Sequence, residues 1–415
     1  MTTPGPATRV LLVNTAAAGG GAARMARTLH EGLGRQPGFE SRLAVGRTRG
    51  VGDPGTVRIA PPAEVGLHVA VTRLTGLQGF GSPVASRRLL GLVRSWSPDI
   101  VHVHNLHGYY LNLDVLADIR GMGWGGPIVC TLHDTWAFTG RCAYFKDCGR
   151  WQHGCGRCPD LRRYPRTFFD TSAFMWKKKR RAFGQDIGPV LVCPSRWLAN
   201  AVGASYLSHA DTRVIPNGVE TDLFRPTSGR WFRAAHAIPD RRPIVLFAAK
   251  DLGAERKGGH LARRVMEDLA RSGLMVVTLG TAGDHALPLG PGFRHLGYVG
   301  DPRVVAEAFG AADLFCVLSL EENFPTTVLE ALSSGTPVVG FSVGGIPEQV
   351  TRDCGRLVEP ADVEGLLTAV RSLCGDRTEL DRIGHEARRR AVSEYSVQRF
   401  VQRHLELYEE LLSGA

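Results

Sequence analysis

Two glutamates in the last third of the chain are the first residues whose type and spacing could do chemistry. Glu322 and Glu330 are separated by seven residues, and a helix predicted from Thr327 to Ala331 would contain the second of them. Paired carboxylates can accept hydrogen bonds from neighbouring hydroxyls, which suits the hydroxyls of a sugar and of a ribose. The alternative is a surface helix with ordinary glutamates, which the preceding strand and the following Ser-Gly-Thr-Pro-Val-Val disfavour.

The residues between these glutamates could bind an anion. The backbone amides of Thr326 and Thr327 would point outward from the N-terminus of the predicted helix, where a phosphate or sugar oxygen is favoured. We therefore expect the whole intervening segment to contact the same ligand. The segment consists of Asn323, Phe324, Pro325, Thr326 and Thr327.

Basic residues after a later predicted strand could hold a diphosphate. Lys250 and Lys257 follow the strand Ile244–Ala248, and Lys257 is followed directly by Gly258. A lysine supplies a point charge but not the planar, bidentate geometry of an arginine, and Arg256 could contribute in place of Lys250. A solvated basic loop is the alternative interpretation.

A glycine run near the N-terminus is a second candidate for phosphate contact. Gly19, Gly20 and Gly21 follow the predicted strand Arg9–Asn14 and precede a helix-like stretch. Consecutive glycines let a ligand approach the backbone because no Cβ is in the way. The run does not match the Gly-x-Gly-x-x-Gly pattern of dinucleotide enzymes, and a plain tight turn is the alternative.

Polar side chains also follow two predicted parallel strands, Ile100–His104 and Ile128–Leu132. The carboxyl ends of parallel strands line the ligand-binding edge of a doubly wound sheet. His133 is therefore a candidate polar contact at this edge, and a lone histidine after the other strand is more often structural. The candidates for the side that binds the acceptor are His104, Asn105, His107, Asp134 and Trp136.

Four clustered cysteines could form a structural metal site. Cys142, Cys148, Cys155 and Cys158 lie within seventeen residues, and four thiolates can enclose a tetrahedral zinc ion. Such a shell has no open position, so the zinc would be structural rather than catalytic. Reduced, metal-free thiols and labile disulfides are the alternatives.

The positive charge of the chain is concentrated around these cysteines. The formal net charge is +10, and residues 141–181 contain twelve Lys and Arg against three Asp, which gives +9 for this segment. The segment ends in Phe174, Met175 and Trp176 followed by five basic residues. Such a patch indicates an anionic partner, either an anionic membrane surface or a phosphorylated acceptor, and a solvated basic face is the alternative.

The element pattern predicts an α/β fold with two Rossmann-like, doubly wound domains that face each other across a cleft. Short β-branched strands alternate with helices, and the pattern breaks at the turn-rich segment that begins at Pro216. The predicted N-terminal domain comprises residues 1–218, with a Cys-rich basic insertion at about 138–181 and a C-terminal helix at about 398–415 packing back onto it. Residues 219–397 form the predicted donor domain.

The chain resembles family 4 of the retaining glycosyltransferases, whose two-domain fold is called GT-B. The closest likeness is to the subgroup that includes colanic-acid and other exopolysaccharide glycosyltransferases. Besides the Glu322 and Glu330 segment, the resemblance is carried by NTAAAGGGAARMARTL, DIVHVHNLHGYYLN, TLHDTWAFTGRCAYFKDC, GCGRCP, PSRWLA, IPNGVETDLFRP and ERKG.

The resemblance implies roles for several of these residues. It places Glu322 beside the donor sugar and its anomeric centre, Glu330 at the nucleotide ribose, and Gly20 and Gly21 near the donor phosphates. Lys257 matches the family's diphosphate-binding lysine, whereas Lys250 stands where the family usually has an arginine. His133 would contact the transferred sugar. Transfer with retention is thought to proceed on the leaving-group face, where the departing phosphate takes the acceptor proton.

The resemblance therefore implies a retaining, metal-independent transfer from a UDP- or GDP-sugar, with no catalytic cofactor. The acceptor would be a sugar, a lipid-linked molecule or a small molecule in polysaccharide or glycoconjugate biosynthesis. A glycosyltransferase that tailors a secondary metabolite and a GT-B sugar-nucleotide epimerase are the alternatives. A nucleic-acid binder is disfavoured by the intact glutamate pair. The sequence lacks a recognisable secretory signal, which predicts a cytoplasmic protein, with a peripheral position at the inner membrane face through residues 141–181.

Overall fold

The computed structural model describes residues 7–47, 54–283 and 287–414. The chain divides into two compact units, each with its own sheet and its own hydrophobic core. The first unit contains residues 1–216 and 400–415, and the second contains residues 217–399.

The first unit is built on a sheet of seven parallel strands. Its strands are β1 (Thr8–Ala16), β2 (Phe39–Arg47), β3 (Thr56–Arg58), β4 (Ile100–Val103), β5 (Ile128–Thr131), β6 (Val190–Cys193) and β7 (Thr212–Val214), in the order β3-β2-β1-β4-β5-β6-β7. Its helices before residue 217 are α1 (Gly21–Leu33), α2 (Pro62–Thr75), α3 (Pro83–Trp96), α4 (Val115–Gly121), α5 (Ser172–Ala182) and α6 (Arg196–Gly203).

The second unit has a sheet of six parallel strands. The strands are β8 (Ile244–Asp251), β9 (Met275–Thr281), β10 (Phe293–His295), β11 (Leu314–Val317), β12 (Val338–Phe341) and β13 (Gly355–Val358), in the order β10-β9-β8-β11-β12-β13. The helices are α7 (Arg230–Ala235), α8 (Gly259–Arg271), α9 (Pro302–Ala311), α10 (Thr326–Ser333), α11 (Ile346–Gln349), α12 (Val363–Gly375) and α13 (Arg377–Tyr395).

Each sheet has one point where the strand order reverses. In the first unit this point lies between β1 and β4, and in the second it lies between β8 and β11. Loops that leave the carboxyl ends of these neighbouring strands turn in opposite directions and leave a crevice, which is where doubly wound sheets bind ligands. The glycine run follows β1, His104 follows β4, and Lys250 lies at the end of β8.

The last helix, α14 (Val397–Ser413), belongs to the first unit from Phe400 onward. It packs closely on α1, because a Cβ added to Gly32 would lie 2.4 Å from a methyl carbon of Val401. Farther along the helix, the hydroxyl of Tyr408 lies 2.6 Å from Nδ1 of His102 on β4. The helix therefore completes the core of the first unit rather than forming a free tail.

The predicted α/β architecture with two parallel sheets is confirmed. The burial of the strands explains why the sequence indicated this architecture. Strands β4, β5 and β6 consist entirely of buried residues, as expected for strands covered on both faces. Within the described part of the chain, no helix has the length and apolar character needed to cross a bilayer.

Candidate functional site

Glu322, which lies four residues before α10, is surrounded by charged side chains. Oε1 of Glu322 is 3.0 Å from a guanidinium nitrogen of Arg256, forms an ion pair with Nζ of Lys257 and accepts a hydrogen bond of 3.2 Å from the Ser319 hydroxyl. The carboxylate is buried, and its burial alone would raise its pKa. The Lys257 and Arg256 cations outweigh this effect and hold the pKa of Glu322 below its ordinary value, so the group is ionised.

Local backbone geometry places these cations beside Glu322. A 3-10 turn at Glu255–Lys257 ends at Gly258, which has a φ of 73°. A Cβ at Gly258 would lie 2.2 Å from the carbonyl oxygen of Leu318, so only glycine fits between the turn and the end of β11. The amide of Leu320 also donates to the carbonyl of Arg256 at 2.8 Å. The Lys-Gly pair thus has a structural reason as well as a chemical one.

The other glutamate lies inside α10, where it is buried. The helix begins at Thr326, one residue before the predicted start, and continues to Ser333. The turn before it is held by two side chains, since Asn217 donates to the carbonyl of Phe324 at 2.9 Å and Gln349 donates to that of Pro325 at 3.1 Å. These bonds fix the direction in which the first amides of α10 point.

A pocket of about 370 Å³ lies beside this helix, at the reversal point between β8 and β11. Lys257, Ser319 and Thr327 line it, together with apolar residues of β8, α8 and β11. The structure therefore brings Lys257 and Thr327, two of the predicted donor contacts, to one crevice. Lys250 is exposed at the end of β8, whereas Arg256 pairs with Glu322.

The glycine run adopts a backbone conformation that favours glycine. Gly19 has a φ of 94° and Gly20 a φ of 139°, values that side chains rarely permit. No atom lies within 4 Å of a Cβ built at either position, so the loop faces open space and the glycines are required by backbone conformation. Gly21 is the first residue of α1.

The first unit has a pocket of about 300 Å³ at the carboxyl ends of β4 and β5. The structure brings together all five predicted acceptor-side residues and the predicted catalytic histidine there, although their positions in the sequence are up to 32 residues apart. The pocket lining includes His104, Asn105, His107, His133, Asp134 and Trp136.

Two imidazole contacts organise this pocket. Nδ1 of His104 is 3.1 Å from Nε2 of His133, and Nε2 of His107 is 2.9 Å from Oδ2 of Asp134. Burial lowers the pKa of His133 to about 4, so this imidazole is neutral at pH 7. Burial disfavours the charge on Asp134, but His107 and the Trp136 amide hold its pKa below the ordinary value.

The remaining polar groups of the pocket are oriented by their neighbours. The Trp136 indole donates to Oε1 of Gln78 at 2.5 Å, and the amide of Trp136 donates to Oδ1 of Asp134 at 2.9 Å. The side chain of Asn105 lies 3.5 Å from that of Asn14 on β1. Nδ1 of His107 is buried and has no hydrogen-bond partner among the described residues, which leaves it available to a ligand hydroxyl.

Sequence reasoning missed a column of imidazoles behind the pocket. The His102 ring stacks on those of His104 and His404, with centroid distances of 4.4 and 5.6 Å, and its Nε2 lies 2.7 Å from the Thr131 hydroxyl. His102 and His104 alternate along one strand and therefore share a face, which was a usable signal. His404 comes from α14, and no local pattern connects it to β4.

The predicted zinc site is not supported. Among the described residues, no group of three or more His, Cys, Asp and Glu side chains is arranged to hold a metal ion, and all four clustered cysteines are free thiols. The Cys155 sulfur instead accepts a hydrogen bond of 3.1 Å from the amide of Gly140. Burial raises the pKa of Cys155 to about 11, which favours the neutral thiol over the thiolate that metals bind.

Two buried basic side chains stabilise this loop instead. The guanidinium of Arg141 donates to the carbonyls of Asp160, Leu161, Arg163 and Pro165. Nζ of Lys179 donates to the carbonyl of Trp136 at 2.7 Å and lies 3.6 Å from the centroid of that indole. Two of the twelve basic residues in segment 141–181 therefore point inward, so the surface patch is smaller than its sequence predicts.

Two family models match the chain. The model described as Glycosyltransferase Family 4 covers residues 19–223, and the model described as Glycosyl transferases group 1 covers residues 242–376. The first match includes the pocket formed by β4 and β5, and the second includes Glu322, Glu330 and the turn that carries Lys257.

Curated relatives match over most of their length. A protein of Escherichia coli strain K12, named as the colanic acid biosynthesis glycosyl transferase WcaC, is 27% identical over 376 residues, which is 85% of this chain and 88% of that protein. The MMP alpha-(1->4)-mannosyltransferase of Mycolicibacterium hassiacum is 29% identical over 385 residues, which is 87% of this chain and 84% of that protein.

Solved structures share the fold. A sucrose-phosphate synthase from Thermosynechococcus elongatus aligns with a TM-score of 0.73 at 18% identity, over 98% of this chain and all of that one. HepE of Anabaena in complex with UDP-glucose aligns with a TM-score of 0.66 at 15% identity, over 98% of this chain and all of that one. At these identities the likeness establishes the architecture alone.

Proposed function

Because the chain belongs to the family 4 glycosyltransferases of the GT-B fold, we propose that it transfers a sugar from a nucleotide-sugar donor to an acceptor hydroxyl in polysaccharide or glycoconjugate biosynthesis. The observation that supports this best is the cluster of Glu322, Arg256 and Lys257 beside the N-terminus of α10. It combines an ionised carboxylate with two cations at the reversal point of a doubly wound sheet.

In this proposal the second unit binds the donor. Lys257, Arg256 and the first amides of α10 hold the diphosphate, because cations and a helix N-terminus both favour phosphate oxygens. Glu322 accepts hydrogen bonds from the transferred sugar, and Glu330 accepts them from the ribose. Asn323, Phe324, Pro325, Thr326 and Thr327 supply the turn that the donor contacts.

Transfer would proceed with retention and without a metal ion at the catalytic centre. The new bond forms between the acceptor oxygen and the anomeric carbon while the bond from that carbon to the diphosphate oxygen breaks. The acceptor proton passes to the departing phosphate, whose negative charge Arg256 and Lys257 stabilise. The neutral state of His133 supports a role as a hydrogen-bonding partner of the reacting sugar rather than as a cationic acid.

The acceptor would occupy the pocket at the ends of β4 and β5. His107 is the strongest candidate contact, because its Nε2 is bound to Asp134 while its buried Nδ1 has no protein partner. His104, Asn105 and Trp136 complete the polar and aromatic lining expected for a hydroxyl-rich ligand. The name of the relative WcaC supports a polysaccharide acceptor in preference to a secondary metabolite.

Thermal stabilisation by nucleotides tests this proposal. UDP-, GDP-, ADP- and dTDP-sugars would be added to the wild type, to Glu330→Gln and to the control Glu359→Ala, whose side chain is exposed in the same unit. One nucleotide at about 100 times its Kd should raise the Tm of the second unit by about 5 °C or more. We expect Glu359→Ala to respond fully and Glu330→Gln to lose most of the shift.

Either of two results would contradict the proposal. The first is a folded wild type that responds to none of the nucleotides, and the second is a response that Glu330→Gln retains in full. Once a donor is identified, the anomeric configuration of the product, measured by NMR, tests retention. Activity that persists in EDTA would support transfer without a catalytic metal.

A further inference from the structure

Helix α2 in the first unit buries three polar side chains and exposes several apolar ones. Its buried side chains are Glu64, His68 and Thr72. The exposed positions on the opposite face lie within one arc of the helix, and all of them except Arg73 are apolar. The apolar positions are Pro62, Ala63, Gly66, Leu67, Ala70 and Leu74.

The buried polar groups of α2 are satisfied by neighbouring backbone and side chains. Glu64 accepts hydrogen bonds from the first amides of α3, at Val84 and Ala85, with lengths of 2.6 and 2.9 Å. Nδ1 of His68 lies 2.7 Å from the Ser82 hydroxyl. The helix is therefore held in this orientation by specific bonds, and its apolar face is directed outward by the fold.

Exposed aromatic residues adjoin the C-terminal end of this helix. The amide of Phe168 donates to the carbonyl of Arg73 at 3.0 Å, and the hydroxyl of Thr171 donates to that of Gly76 at 2.7 Å. Phe168 and Phe169 are 62% and 63% exposed, and Leu74 is 61% exposed. A loop and a helix end thus present large apolar side chains next to each other, which is uncommon on the surface of a monomer.

Positive charge borders this apolar surface. Arg73 lies on the exposed face of α2, and Arg166 lies two residues before Phe168; both are exposed. On α5, Phe174, Lys177 and Arg181 are exposed at spacings of three and four residues, which places them on one face.

An exposed acid, Asp170, lies next to Phe169 on this surface. Asp170 accepts hydrogen bonds from the amide of Cys158 at 2.7 Å and from the amide and hydroxyl of Ser172 at 2.9 and 2.6 Å. A carboxylate that accepts such bonds keeps its charge, so the surface carries this one acid against the four exposed cations Arg73, Arg166, Lys177 and Arg181.

We propose that the exposed face of α2, Phe168, Phe169 and the Phe174 face of α5 form a docking surface for an anionic lipid bilayer. Apolar side chains that project beside basic ones match the interface of such a bilayer, where the former enter the acyl boundary and the latter contact headgroup phosphates. This surface extends the contact predicted from residues 141–181 to a helix outside that segment. The docking surface rests on the proposed function in one respect, because contact with a bilayer would give the enzyme access to a lipid-linked acceptor.

The charges favour a lipid surface over a second copy of the chain. A symmetric dimer through this face would bring the cations of two identical surfaces together, which is unfavourable. Ala63, Gly66 and Ala70 also present a shallow strip rather than a pocket for a partner's side chain. A flat, negatively charged interface satisfies both features.

Co-sedimentation with vesicles tests the proposal on the full chain. Vesicles of phosphatidylcholine alone would be compared with vesicles containing about one third phosphatidylglycerol. The variants Leu74→Glu and Phe169→Glu place a negative charge on the surface. Leu289→Glu is the matched control, because Leu289 is 90% exposed and belongs to the second unit.

We expect the wild type and Leu289→Glu to bind the anionic vesicles and to bind neutral vesicles far less. Leu74→Glu and Phe169→Glu should each weaken binding about tenfold or more, since each removes an inserted apolar side chain and adds repulsion. Lys177→Glu should weaken binding as well, and raised salt should reduce it for every form. Unchanged circular dichroism and Tm would show that the variants are folded.

Three outcomes would overturn the docking surface. They are absence of binding to anionic vesicles, equal binding by Leu74→Glu and the wild type, and a dimer in light scattering that Leu74→Glu abolishes while no form binds vesicles. Failure here remains distinct from failure of the proposed function, because the nucleotide response is measured without lipid. A protein that binds vesicles but no nucleotide would contradict the function and leave the surface standing.

Discussion

At the scale of single residues, the proposed donor site depends on which cation lies beside Glu322. Lys257 is partly buried in the pocket wall and paired with this carboxylate, whereas Lys250 is exposed. Desolvation of a cation makes its interaction with a bound anion stronger than at the surface. The two lysines should therefore differ sharply although both were predicted to bind the donor.

We expect Lys257→Ala to weaken binding of the donor nucleotide by about 10- to 100-fold, which corresponds to the loss of one charged hydrogen bond. Lys250→Ala serves as the matched comparison and should change the Kd by less than about threefold. Isothermal titration with the nucleotide identified by thermal shift would measure both. Equal losses in the two variants would assign the diphosphate to a different set of contacts.

Arg141 gives a second prediction at this scale, because it holds the cysteine-containing loop that a zinc ion was predicted to hold. Replacing it with methionine leaves several buried carbonyls without a donor, so the free energy of unfolding should fall by about 3 kcal/mol. Denaturant unfolding would measure this change.

The same loop should be insensitive to metal removal. Treatment with a strong chelator should leave the Tm of the wild type unchanged, because the bonds from Arg141 and Lys179 do not require a metal. One equivalent of zinc in the purified protein, together with a lower Tm after chelation, would restore the zinc prediction and overturn this interpretation.

At the scale of elements, the contact between α1 and α14 determines how the first unit closes. Gly32→Ala adds a Cβ that would lie 2.4 Å from a methyl of Val401, so one helix must move. We expect a loss of about 1–3 kcal/mol in the free energy of unfolding. The double variant with Val401→Ala should recover part of it, since the clashing methyl carbons are removed. Additive losses in the double variant would show that the two helices do not meet at this point.

The imidazole column between α14 and β4 predicts acid sensitivity. Burial lowers the pKa of His404 and of His133 to about 4, below the ordinary value of 6.5. The unfolded chain therefore binds more protons than the folded one between pH 6.5 and 4. The stability of the first unit should be complete above pH 6.5 and should fall as the pH decreases toward 4.

A variant isolates this effect. His404→Leu removes one buried imidazole and should flatten the dependence of Tm on pH between 6.5 and 5. His209→Leu, at an exposed position in the same unit, should leave the slope unchanged. Identical slopes in all three proteins would mean that the column does not titrate on unfolding.

At the scale of the whole molecule, the first unit is formed by two separate segments of the chain. The first unit is completed by residues 400–415, which arrive after the entire second unit has been made. Phe400, Val401, Leu405 and Tyr408 are buried in this last segment. Each apolar side chain contributes roughly 1.5–3 kcal/mol when buried, so their sum rivals the stability of a typical domain.

Deletion of residues 400–415 should consequently unfold the first unit and leave the second folded. Calorimetry should show loss of one transition, while the transition that responds to the donor nucleotide persists. Deletion of residues 413–415 alone is the control and should change little. Retention of both transitions without the helix would show that the first unit is stable on its own.

The sequence by itself determined the features that depend on neighbouring residues. Buried strands such as β4 and β5 are short apolar runs, and the segment from Glu322 to Glu330 carries its turn, its helix start and its carboxylates within nine positions. Local spacing also placed His104 and His133 after adjacent strands, where parallel topology brings them to one edge. These inferences were possible because secondary structure and strand order constrain such positions strongly.

Only the tertiary structure decided which groups face each other across long separations in the chain. The pairing of Arg256 with Glu322, the inward direction of Arg141 and Lys179, and the stacking of His404 on His102 all join residues without a shared local pattern. The outward apolar face of α2 belongs here as well, since a helix period shows that two faces differ but not which one is covered. Side-chain burial and hydrogen bonding depend on what packs against an element, and that is a property of the folded chain.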